Sequence, residues 1–174
     1  ILAVLYTSVA ALPVPFAPVH LLFINLLTDS LPALAIGMEP MERDVLLEKP
    51  RNPKEGILTT AFLGRILWQG TLIATVTMGA FYLGLRESAA MASTMAFATL
   101  TLARLFHGFN CRSRHSIFRL GFSGNWYRLG AFLLGVLLLA AVTMIPVLRT
   151  LFSVETMGIV WLGMVVFLAA LPTA

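Results

Sequence analysis

Residues 62–85, FLGRILWQGTLIATVTMGAFYLGL, carry a single charged side chain, Arg65. A bilayer's hydrocarbon core is about 30 Å thick and takes roughly 20 mainly apolar residues as a helix. Within lipid no water is present to pair with backbone N–H and C=O groups, so a run like this folds as a helix that satisfies them internally. Several further runs of similar character lie along the chain. Charged residues make up 11% of the sequence, hydrophobic ones 59%, and the mean hydropathy is +0.89. A water-soluble domain has about 25% charged residues, so the composition is that of an integral membrane protein.

The apolar runs set the organisation. Residues 1–12 (ILAVLYTSVAAL) are too short to span and read as the tail of a helix that starts upstream. The chain has no initiator Met and opens inside an apolar run, which reads as a fragment rather than a signal peptide. "PVPFAP" then breaks any helix, because each proline removes a donor and disfavours helical geometry at the residue before it. Further spans are expected at 20–37, interrupted by Pro32, and at 62–85, 89–109, 126–145 and 156–171. The expected fold is all-α, a polytopic transmembrane helix bundle.

Base exceeds acid, 12 Lys+Arg against 8 Asp+Glu. The excess falls in two loops, a topology signal rather than a nucleic-acid surface. Loop 38–57 carries Arg43, Lys49, Arg51 and Lys54; loop 110–125 carries Arg112, Arg114 and Arg119, with Arg128 just beyond. Arg86 and Arg149 are the bases on the opposite side. Loops 38–57 and 110–125 are therefore expected in the cytoplasm, and the "PVPFAP" turn outside. The single cysteine, Cys111, excludes an internal disulfide and an all-cysteine metal cage.

One span contains an acid. In FINLLTDSLPALAIG, residues 23–37, Asn25, Thr28 and Asp29 stand at i, i+3 and i+4, so a helix would bring their oxygens to one face. Pro32 lacks the N–H that would bond the carbonyl of Thr28, which leaves a backbone oxygen beside them. Hard cations are held by carboxylate, amide and carbonyl oxygens of this kind. Transporters place ion sites where a membrane helix is interrupted. A charge at mid-bilayer costs on the order of 2.5–3.5 kcal/mol on insertion scales, which makes function the default reading of Asp29; the competing reading has Asn25 and Thr28 as interhelical polar glue and Asp29 paired with a neighbouring base. The spacing leaves Ca²⁺, Mn²⁺, Na⁺ and a proton open.

The stretch PVHLLFINLLTDSLPALAIGMEP, followed by LLEKPRNPKEGIL, resembles the sixth membrane helix and following cytoplasmic loop of P-type ATPases of the calcium-pump class. Its core is N-L-x-T-D-x-L-P-A and its loop signature P-R-x-P-K-E. The resemblance implies that residues 1–12 end the fifth helix of such a pump and that the remainder forms helices six to ten. It implies Asn25, Thr28 and Asp29 as cation ligands, with the equivalent of Asp29 bridging two calcium sites in the family. It also implies a longer parent that hydrolyses ATP with Mg²⁺ and exports Ca²⁺, or Mn²⁺, from the cytoplasm across a bacterial cell membrane. This chain contains no Asp-Lys-Thr-Gly-Thr phosphorylation segment and no nucleotide-binding region, so its partners would be the rest of the pump and the lipid bilayer, with no nucleic acid. Alternatives of another class are a secondary transporter or channel, or a scaffold.

One position departs from the family. Aligning ARLFHGFN puts Arg104 where the reticulum pump has a ligand glutamate. A guanidinium stays charged, so the expectation is a built-in counter-charge at the first site and one ion per cycle; the competing reading is a side chain that snorkels to the interface. His107, Cys111 and His115 stand at four-residue spacing but straddle an expected helix end, and a soft-metal site is set aside. Arg65 and Trp68 read as interface anchors, Gln69 as interhelical glue, and Gly70, Gly79 and Gly84 as close-packing positions. The proline-punctuated loop 38–57 reads as a stiff connector that couples to the pump's cytoplasmic domains.

Overall fold

The structure, a computed structural model, describes residues 1–28, 30–38, 59–110 and 126–173. Among these residues the fold is all-α. The helices are α1 (Leu2–Val9), α2 (Pro18–Phe23), a π-helical segment (Ile24–Thr28), α3 (Ser30–Gly37), α4 (Thr60–Leu85), α5 (Ala89–Asn110), α6 (Trp126–Met144), α7 (Pro146–Phe152) and α8 (Ile159–Ala170), with a 3₁₀ turn at Leu171–Thr173. Loop 39–58 and most of loop 110–125 lie outside the described residues, as do Asp29, Cys111 and His115.

Among the described residues two helices, Phe62–Leu85 and Ala89–Gly108, are long and apolar enough to cross a membrane. Leu129–Met144 with Pro146–Phe152 makes a third if their 91° bend is taken as one broken span. The bend has a local cause. Pro146 lacks the N–H to continue α6 and sits instead at the first position of α7, where its fixed φ suits a helix start. The short α7 was not anticipated from the sequence. Residues 154–158 then run without helix, so α8 has 12 residues and is shorter than the apolar run 156–171 suggests.

The hub is α5. It packs against α4, α6, α8, α3 and the π segment, and most of it is buried whereas α4 is largely exposed. Beside Phe97, Leu102 and Leu105, its buried surface includes Ala92, Ala96, Ala98 and Ala103, small residues that let neighbouring helices approach closely where lipid offers no hydrophobic drive for association. The tightest approach is at the α4–α5 hairpin. A Cβ on Gly84 would meet the Ala92 Cα at 2.7 Å and its N at 2.8 Å, so only glycine fits there. The expectation for Gly70 and Gly79 does not hold, because a Cβ at either would have no described atom within 4 Å.

The loops at the N-terminal end of α5 are tied to it. Ser88 caps the helix, its Oγ accepting from the Met91 N–H at 2.9 Å and donating to a Glu155 carboxylate oxygen at 3.1 Å. Thr94 Oγ1 accepts the Glu155 N–H at 2.9 Å. Ser93 Oγ donates to the Pro15 carbonyl at 3.1 Å. Helix α1 lies against α4, with the Tyr6 and Tyr82 hydroxyls 2.7 Å apart.

Candidate functional site

The acid-bearing segment is not a continuous α-helix. Its first piece, α2, has six residues, too few to be stable without tertiary contacts. Two side chains one turn apart, His20 and Phe23, anchor it, and both are buried. The His20 ring stacks on Phe97 of α5 at 4.4 Å between centroids and 18° between planes. Phe23 meets Phe97 and Phe152 edge-on, each at 5.5 Å.

His20 uses both ring nitrogens. Nδ1 accepts the Ala17 N–H at 3.2 Å and Nε2 lies 2.7 Å from the Phe152 carbonyl oxygen. An imidazole that accepts at Nδ1 and meets a carbonyl at Nε2 is the neutral Nε2–H tautomer, donating to Phe152. The contact to Ala17 is the reach-back half of a capping box; Ala17 has no side-chain acceptor, so the reciprocal half is absent. This role went unread in the sequence, although Pro18 at the first helical position puts His20 at the third, the position from which side chains reach back.

Beyond Phe23 the backbone widens into the π segment, which contains Asn25 and ends at Thr28. Such widened turns inside helices occur often at functional sites. Ile24 is buried while Asn25 is exposed to the space beside the bundle. Asp29 lies outside the described residues, and the side chains of Thr28 and Pro32 are likewise not described. Pro32 lies within α3 (Ser30–Gly37), beyond the π segment.

Arg104 is half-buried on α5 and engaged by neighbouring groups. It comes seven residues after Phe97, so Phe97, Thr101 and Arg104 share one helical face. The two chain segments run side by side in one direction. Ser93 meets Pro15, Phe97 meets His20, and further along α5 packs on the π segment and α3. Phe97 to Arg104 is about 10 Å along the axis, and His20 to Thr28 about 12 Å or less through the π turn. Arg104 lies on the helix that packs on the π segment and on α3. His107, one turn on, completes no metal cluster; among the described residues no group of three His, Cys, Asp or Glu could hold an ion.

Comparison with known proteins bears on this arrangement. The family described as "Cation transporting ATPase, C-terminus" matches residues 13–174. A calcium-transporting ATPase of Bacillus subtilis is 40% identical over 179 residues, covering 99% of this chain and 20% of the relative. A calcium-transporting ATPase of Listeria monocytogenes is 41% identical over 155 residues, 88% of this chain and 18% of the relative. The human calcium-transporting ATPase type 2C member 2 is 32% identical over 156 residues, 87% of this chain and 16% of the relative. The chain thus spans about a fifth or less of the length of these relatives. With a match that runs from residue 13 to residue 174 and so covers the interrupted helix, the hub helix and every helix after it, this chain belongs to the cation transporting ATPase C-terminal family, the membrane region of P-type ATPases.

Proposed function

We propose that this chain supplies half of the transport region of an ATP-driven pump that exports Ca²⁺ from the cytoplasm, and that Asn25, Thr28 and Asp29 contribute ligands to the transported ion. The observation that carries this reading is the π-helical turn at Ile24–Thr28, with Asn25 exposed. An α-helix at that point would pair each carbonyl with an N–H four residues on; a widened turn loosens that pairing and offers oxygen to a hard cation. The names of the relatives, calcium-transporting ATPases from bacteria to human, support Ca²⁺ as the cargo.

A calcium shell needs about six to eight oxygens, more than three side chains provide. The remaining ligands, the phosphorylation site, and the ATP and Mg²⁺ it uses belong to other parts of the parent pump. Loop 38–57 is the connector to those parts on the cytoplasmic side. The membrane is the bacterial cell membrane, in keeping with the bacterial relatives.

Arg104, which aligns with a ligand glutamate of the family and stands on the helix packed against the π segment, is a fixed positive charge that would repel a second cation. The pump accordingly moves one ion per ATP. The test of the whole reading is cation-stimulated ATP hydrolysis by the full-length parent, with Asp29→Asn as control. Calcium stimulation that disappears in the variant supports it. Stimulation by Mn²⁺ alone changes the cargo, and stimulation that survives Asp29→Asn removes the site.

A further inference from the structure

We infer that His20 is a positioning residue for the ion site: by clasping the short helix α2 between Phe97 of α5 and the carbonyl of Phe152 at the end of α7, it sets where the π segment places Asn25 and Thr28. The inference rests on the pump reading given above.

Four observations converge on this side chain. His20 is fully buried, with no exposed surface. Its two ring nitrogens are both used, and by backbone groups, one within its own helix turn and one 132 residues away. Its ring face is covered by Phe97. The helix it anchors runs directly into the π segment, and His20 and Phe23 are its buried side chains.

The geometry explains why a clasp is needed here. A π turn carries one more residue than an α turn, so it rotates everything after it relative to an unbroken helix. The orientation of Asn25 and Thr28 then depends on how firmly the helix before the turn is held. Phe152 is held in turn: Ser153 takes the left-handed conformation, φ 53°, and the Val154 and Ser153 N–H groups close the end of α7 onto the carbonyls of Arg149 and Thr150. His20 therefore joins the segment of Asn25 to the tightly closed corner at the end of α7, while Phe97 joins it to the helix of Arg104. An apolar residue in place of His20 would leave the Phe152 carbonyl and the Ala17 N–H without their partner, and α2 free to turn.

The test uses the purified full-length pump, with Ca²⁺ as the probe in an ATP-hydrolysis assay. His20→Leu is expected to raise the half-saturating Ca²⁺ concentration about tenfold, the equivalent of one lost buried hydrogen bond, with a smaller effect on the maximal rate. His20→Gln has an acceptor for Ala17 and a donor for Phe152, and is expected to return the value to within about threefold of wild type. His20→Asn reaches Ala17 but not Phe152 and carries the test if the leucine variant fails to fold; it is expected to shift half-saturation and the glutamine variant is not.

Unchanged half-saturation in the leucine or asparagine variant overturns the inference. So does a loss of maximal rate that merely tracks the amount of folded protein, or a glutamine variant as impaired as the leucine one. Wild-type enzyme that does not respond to Ca²⁺ fails the pump reading first, visibly before any variant is made, and removes this inference with it.

Discussion

The Cα of Ala92 lies 2.7 Å from where a Cβ on Gly84 would stand, so the α4–α5 hairpin closes backbone to backbone. Alanine at Gly84 would force the two helices apart and is expected to destabilise the domain by about 1–3 kcal/mol. Alanine at Gly135 of α6 would meet side-chain carbons of Leu105, the nearest at 2.6 Å, and a leucine end can turn aside. Alanine at Gly79 has open space and adds helix propensity of about 1 kcal/mol or less. Reversible unfolding of the three variants in mixed micelles should rank Gly84→Ala least stable and Gly79→Ala at or above wild type. Equal stability of Gly84→Ala and Gly79→Ala would contradict the close approach.

The hydroxyl of Thr94 accepts the N–H of Glu155 and ties the α7–α8 connection to the hub. Thr94 is buried whereas the side chain of Glu155 is exposed. Thr94→Val should therefore cost about 1–2 kcal/mol through the orphaned N–H. Glu155→Ala gives up an exposed contact to Ser88 and should cost less than half of that. The same micelle unfolding measurement separates them, and a larger loss in Glu155→Ala would assign the tie to the carboxylate instead.

Asn25 is the expected ligand whose surroundings are described, and it stands exposed in the π segment. Asn25→Ala in the full-length pump is expected to raise half-saturating Ca²⁺ by about tenfold or more, the effect of one lost oxygen ligand to a charged partner. The calcium dependence of ATP hydrolysis reads this directly. An unaltered dependence would leave Asn25 as interhelical glue.

Arg104 bears on the number of ions moved. Arg104→Glu should raise the calcium-to-ATP ratio from one toward two, because a carboxylate both removes the repulsion and supplies oxygens. Simultaneous measurement of radioactive calcium uptake and phosphate release in vesicles gives the ratio. A ratio unchanged from wild type would mean that Arg104 serves the membrane interface.

The membrane character of this chain was legible from residue order alone, because bilayer thickness and apolar run length are compared along one dimension. The same holds for the break at "PVPFAP" and the end of the span before Pro146, since proline acts on its own backbone. The motif around Asp29 was legible too, as residue types at fixed spacing. Contacts between distant segments were not. Nothing near His20 in the sequence points to a carbonyl 132 residues on, and Gly70, Gly79 and Gly84 read alike although, of the three, Gly84 alone faces another backbone. The π turn at Ile24–Thr28 likewise answers to the contacts that hold each side of it, α2 clasped by Phe97 and Phe152 and α3 packed on α5 and α6. Local chemistry decides which segments become helices; which faces meet, and where a helix must widen, depends on packing that exists only once the bundle has closed.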